Sequence, residues 1–201
     1  MKRATFLIAS IVIFLSACTP KFVIAIYNQD LYGSLENGIP SNSRTGNHYF
    51  QDGTLKATGS YAVSFKNEKS ELKTGLWKEY YAGGRLQREG HYKIGSYLGC
   101  GAGGLQAEYY HYKDGLWKYY DESGELRFEV EFEPTKLHFD TNCEGGDNLI
   151  YGLIKNVPLG NKEQLSPDSI FSLQKEKIED GSFTVILTPL NNKLFITYSY
   201  N

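Results

Sequence analysis

Four histidines, a glycine-rich run and two acidic patches are the parts of this 201-residue chain whose types could carry chemistry. His48, His91, His111 and His138 show neither the H-x-x-x-H nor the H-E-x-x-H spacing that turns two imidazoles toward one metal. Lying in strand-like segments, they read as exposed sheet histidines. Glu129, Glu131 and Glu133 recur at period two, which puts them on one wet strand face. Glycosidic acid–base chemistry needs two carboxylates across a cleft, and one strand does not supply that. Asp140, Glu144 and Asp147, with Asn142 and Asn148, make an acidic loop without the twelve-residue pattern of a calcium-binding EF-hand. The run GCGAGG, residues 99–104, matches G-x-G-x-x-G in letters. A dinucleotide site also needs a strand before it, a helix after it and an acidic residue about 20 positions on. Here Tyr97-Leu98 precede the run and Tyr109-Tyr110 follow it, so it reads as a glycine loop. The expectation is a chain without catalytic residues, metal or cofactor.

The elements that must position any such group are written more than once. GLWKEYYAGGRLQREGHY, residues 75–92, returns without gaps as GLWKYYDESGELRFEVEF, residues 115–132. Trp77 falls on Trp117, Tyr80 on Tyr120, Gly84 on Gly124, Leu86 on Leu126 and Tyr92 on Phe132. A degraded earlier copy, GNHYFQDGTLKATGSY, puts Gly46 at the tryptophan position but keeps Tyr49, Gly53, Leu55, Gly59 and Tyr61 in register. Leu126, Phe128, Val130 and Phe132 alternate with Arg127, Glu129, Glu131 and Glu133, the period of a strand with one buried and one solvated face. Gly53, Gly84 and Gly124 stand where a tight hairpin needs positive φ. Each copy is therefore a predicted β-hairpin, and hairpins too weak to stand alone should stack into one sheet. On that pattern Tyr80, Tyr120, Leu86 and Leu126 belong to the core. Neighbouring aromatics point to opposite faces, which leaves Trp77, Tyr81, Trp117 and Tyr119 as the expected binding surface.

The recurrence of Gly-x-Trp-x-x-Tyr, a glycine turn with leucine, and Gly-x-Tyr resembles the MORN-variant repeat of bacterial YwqK-type antitoxins. The likeness spans about residues 46–133, with Gly46 in place of the first tryptophan and Val130 in place of the last late glycine. It implies an extended antiparallel sheet and an antitoxin-like role.

Residues 1–18, MKRATFLIASIVIFLSAC, resemble a bacterial lipoprotein signal peptide: Lys2 and Arg3, an apolar stretch, and the lipobox Leu15-Ser16-Ala17-Cys18. The apolar run is shorter than the ~20 residues of a spanning helix. The resemblance implies cleavage before Cys18, lipidation of its thiol and a membrane partner through that anchor. Thr19 is not the aspartate that retains many lipoproteins at the inner membrane, so the outer membrane, where the cell has one, is the expected address. The mature chain loses two of its 21 basic residues against 23 acidic ones, moving the net charge from −2 to −4. Such a balance carries no footprint for nucleic acid. With Cys18 lipidated, Cys100 and Cys143 form an even pair in an exported chain, which favours a disulfide; two free thiols, one of them nucleophilic, are the alternative.

The expected organisation is all-β: residues 1–17 a signal peptide, 18–47 anchor, short strand FVIAIY and linker, 48–133 stacked β-hairpin repeats in an extended antiparallel sheet, and 134–201 a C-terminal β segment or β-sandwich-like module. Residues 166–180 read as one or two helical turns beginning near Pro167, or as a strand through Phe171 and Leu173. The functional expectation is a membrane-anchored, non-catalytic scaffold with a protein partner, an envelope immunity or antitoxin-like role among its forms. A glycan-binding module or an envelope enzyme acting on peptidoglycan or other glycan is the alternative. One deep pocket with converging polar residues would favour the enzyme.

Overall fold

The computed structural model describes residues 37–64, 69–101, 104–141, 145–157, 165–179 and 183–200. The signal peptide, Cys18, FVIAIY and Cys143 lie outside these. The protein is all-β, a single curled sheet built mostly from antiparallel pairs. In chain order its strands are β1 (Ser43–Tyr49), β2 (Leu55–Val63), β3 (Lys69–Tyr80), β4 (Leu86–Gly101), β5 (Gly104–Tyr120), β6 (Leu126–Phe139), β7 (Asp147–Asn156), β8 (Glu176–Glu179), β9 (Phe183–Leu190) and β10 (Lys193–Tyr200). One helix, α1 (Pro167–Gln174), precedes β8. Strands β1 to β6 lie in sequence order, followed by β10, β9 and β8, while β7 pairs with β6 off that path. The first strand begins inside the segment read as a linker: residues 43–47 belong to β1 and pair with β2.

Each repeat is the predicted hairpin. In all three, Gly53, Gly84 and Gly124 take φ of 85°, 78° and 90°, and their N–H groups donate to Phe50, Tyr81 and Asp121 carbonyls. The positive φ is what an L side chain resists and a hairpin return requires. A second device repeats as well. Gly75 and Gly115, with φ of 66° and 67°, lie in bulges where β3 and β5 carry two residues more than their partners. Two extra residues preserve parity, so the side chains before and after each bulge share a face.

That shared inner face holds the core. Trp77, Tyr92, Trp117, Val130 and Phe132 are buried, and successive rings meet edge to face, Trp77 to Tyr92 at 6.4 Å and Tyr92 to Trp117 at 4.9 Å between centroids. The late glycine of each repeat is the floor on which the next tryptophan lies. A Cβ at Gly59 would stand 2.3 Å from the Trp77 ring, and one at Gly90 would stand 2.2 Å from the Trp117 ring. The indole N–H groups then reach the carbonyl one residue further on, Trp77 to Ser60 at 3.0 Å and Trp117 to His91 at 3.2 Å. Val130 stands at this glycine position in the third copy; it is fully buried opposite Trp117, and the next strand, β7, has no tryptophan to lie on it.

Two expectations are corrected here. Trp77, Trp117 and Tyr119 are not an exposed surface; they are 1%, 0% and 7% exposed, and half-buried Tyr81 donates its hydroxyl to the Tyr120 carbonyl at 2.9 Å. Leu126 is not core but 46% exposed, because the register shifts between Tyr119 and Tyr120 as the hairpin closes. The long segment 93–114, between the second and third copies, is strand over its described residues. It extends the β4–β5 hairpin in unbroken register from Tyr92 and Lys113 to Gly101 and Gly104.

The C-terminal region continues the sheet. Its second cluster packs Leu149 and Tyr151 of β7, Leu187 of β9 and Leu194 of β10 against Tyr97, Tyr110 and Tyr112 of the long hairpin. Because the sheet curls, the far edge returns, and β8 comes to lie against β3. Helix α1 is short and starts where the sequence signals it: Ser166 is the N-cap, accepting from the Ser169 N–H at 3.1 Å, with Pro167 next. Leu165 and Leu173 pack onto the repeat core.

Candidate functional site

Between the inner face of the first hairpins and the returning β8 lies a cleft of about 400 Å³. Its walls come from β1 to β5 on one side and Lys175 to Ile178 on the other. Six lining residues are Lys or Arg and three are Glu, a positive excess of three in a chain whose net charge is −2.

The floor is a buried ionic group. Glu176 Oε2 lies 2.9 Å from Lys113 Nζ, and the Tyr92 hydroxyl stands 3.3 Å from both carboxylate oxygens. Burial opposes the Glu176 charge, but Lys113, His111 and Lys73 outweigh it and hold its carboxyl well below the ordinary glutamate range. Burial in turn lowers Lys113, with Glu176 pulling against it. Tyr92 is raised by burial and by Glu176, so it stays a phenol and a donor.

His111, 1% exposed, is fixed as a tautomer. Its Nδ1 accepts from the Lys73 N–H at 3.3 Å, which leaves the proton on Nε2. Nε2 stands 3.5 Å from Glu176 Oε1 without making a hydrogen bond to any described residue. Burial lowers its pKa and keeps the ring neutral. The reading of all four histidines as exposed is thus corrected for His111, whose strand is covered on both faces. His48 lines the same cleft and hydrogen-bonds Tyr61, His91 is exposed, and His138 pairs with Asp140 at 2.9 Å.

Toward the mouth, Glu79 accepts from Arg88 Nε at 2.9 Å, and Lys73 Nζ stands 3.6 Å away. Burial opposes the Glu79 charge, but Arg88 and Lys73 prevail and keep it ionised. Lys73 and Lys113 occupy the same repeat position, two residues before Gly75 and Gly115. Lys73 Nζ lies 5.1 Å from the Trp77 ring centre and 5.0 Å from that of Tyr92. Lys113 Nζ lies 5.5 Å from Trp117 and 5.6 Å from Phe132. Each repeat thus builds a lysine box from its own tryptophan and its closing aromatic, with cation–π attraction to both rings. The motifs KTGLW and KDGLW carry this in sequence; a repeat begun at the glycine misses it. In the interior of a strand, a lysine looks like any solvated residue.

Residues 73–93 and 113–133 match the MORN repeat variant. Both MORN-variant segments begin on the box lysine and end one residue past the closing aromatic. No curated protein and no solved structure matches the chain.

The other sequence candidates are spread elsewhere. Cys100 is disulfide-bonded near the end of β4, and Cys143 lies outside the described residues. The GCGAGG run ends β4 and begins β5, with Gly101 opposite Gly104, so no helix follows it. Glu129 and Glu133 pair with Lys118 at 4.0 Å and Lys155 at 3.2 Å. Asp147 accepts from the Leu98 N–H at 3.0 Å, whereas Asp140 pairs with Lys193 at 3.0 Å.

Proposed function

We propose that this is a lipid-anchored, non-catalytic binding protein of the cell envelope that engages a partner protein through the cleft, in the manner of an immunity or antitoxin-like protein. The observation that carries the reading is that both carboxylates at the centre of the cleft are already committed to cations, Glu79 to Arg88 and Glu176 to Lys113. Acid–base catalysis needs one group held protonated near neutral pH to give its proton. Glu79 and Glu176 are instead held ionised and His111 neutral, an arrangement suited to recognition. The MORN-variant repeats supply a rigid sheet on which such a site keeps its shape. The glycan-binding alternative loses its support, since the tryptophans that would have stacked on sugars are buried in the core.

The envelope-enzyme reading keeps one supporting observation: polar groups do converge in one cleft, with His111 Nε2 beside Glu176. A single set of experiments separates the two. Crosslinking of the full lipidated protein in its own envelope should recover a protein partner, and Lys73→Glu should abolish recovery while leaving the fold intact. The same preparation should release no product from peptidoglycan or other envelope glycans. Hydrolysis that survives repurification and disappears in a folded Glu176→Gln variant would overturn the binding reading.

A further inference from the structure

The two lysine boxes share a repeat position but not their surroundings. Lys113 is saturated: its three ammonium donors face the Leu173 carbonyl at 3.1 Å, the Lys175 carbonyl at 3.4 Å and Glu176 Oε2 at 2.9 Å. All three acceptors come from one short stretch, the C-terminal end of α1 and the residue that opens β8. A helix C-terminus leaves carbonyls without intrahelical donors, and a buried ammonium there satisfies them and meets the negative end of the dipole. The Tyr151 hydroxyl takes the Gln174 carbonyl of the same turn at 3.2 Å.

Lys73, one repeat earlier, has no such cap. Among the described residues its ammonium makes no hydrogen bond; Glu79 Oε1 stands 3.6 Å away, and that carboxylate is shared with Arg88. It is 20% exposed and faces the cleft. Buried His111 lines the same cleft, its Nε2 3.5 Å from Glu176 Oε1. An ammonium held between two aromatic faces, with its donors unused, is a preformed seat for an oxygen acceptor.

Taking the cleft as the binding site, we propose that the Lys73 box binds an acidic segment of a partner polypeptide, in which a Glu or Asp carboxylate and neighbouring main-chain carbonyls reach Lys73 as residues 173–176 of this chain reach Lys113. The protein's own α1–β8 junction is the template for the ligand. The positive excess of the cleft favours an acidic segment over a neutral or basic one.

The probe follows from the template: a synthetic peptide copying residues 166–179, titrated calorimetrically into the purified full chain. A second peptide carries Gln in place of Glu176. The acidic peptide should bind about tenfold or more tightly than its Gln version, the scale of one charge-assisted hydrogen bond. Lys73→Gln should erase that preference, and Lys73→Arg should restore most of it, which a merely structural lysine would not do. Equal binding of the two peptides, or an unchanged preference in Lys73→Gln, would overturn the inference. N-acetylglutamate or inorganic phosphate binding as tightly as the peptide would also overturn it, by showing a seat for a small anion. A partner crosslink that is lost with Lys73→Glu while the peptides bind alike would sink the acidic-segment inference and leave the cleft's role in binding intact.

Discussion

The first and second MORN-variant repeats agree on their outer face and part company on their inner one. Outside, Lys78 faces Glu89 at 3.6 Å and Lys118 faces Glu129 at 4.0 Å, the same cross-strand pair written twice. Inside, the register position held by the Glu79–Arg88 ion pair in the first repeat is held by Tyr119 stacked on Phe128 at 4.8 Å in the second. Glu71 likewise gives way to His111. The second repeat is covered, and its inner pair can be aromatic; the first lines a cleft and keeps charge. A solvated face tolerates any loose ion pair, so it conserves the repeat, whereas the inner face follows what is packed on it.

The largest test of this contrast is at the floor. Glu176→Gln leaves the Lys113 ammonium buried without its counter-ion and should cost about 3–5 kcal/mol in denaturant melts. Lys73→Gln, which gives up cation–π contact but no hydrogen bond, should cost about 1 kcal/mol or less. Equal costs would mean the two boxes are equivalent after all.

The same pair predicts the acid limb of stability. The folded carboxyl of Glu176 lies below its ordinary 4.5, so its stabilisation is fully present above that pH and is lost as pH falls toward the lower folded value. Thermal melts across this window should show a fall in the wild type with a component missing from Glu176→Gln. An identical pH profile in both would show that the Glu176 charge is not held by Lys113.

Smaller effects are expected at the tryptophan floors. Gly59→Ala and Gly90→Ala should each destabilise by about 1–3 kcal/mol or more, since the new methyl meets a fixed indole rather than a mobile side chain. Unlike costs at the two sites would show that one floor is looser and would place the difference between the repeats below the ionic layer as well. The smallest effect is Leu126→Ala. At 46% exposure it should change stability by only about 0.5 kcal/mol, against about 3–5 kcal/mol for Phe128→Ala two residues on.

What the chain's own letters determined is local. Turn glycines at 53, 84 and 124, the alternation from Phe128 to Phe132 and the Ser166-Pro167 helix start depend on residues a few positions apart, and the backbone obeys them wherever they occur. The repeat also set the register that brings each tryptophan over a glycine. Tertiary structure decided which of the two faces is covered and by what. Trp77 and Trp117 are buried, and Lys113 becomes a saturated ammonium, because the curled sheet carries residues 173–176 back across the inner face some 60 positions later in the chain. No period or spacing encodes that return, since it is the sum of many small strand twists. The same sum stops short of Lys73, and the cleft is the space it leaves.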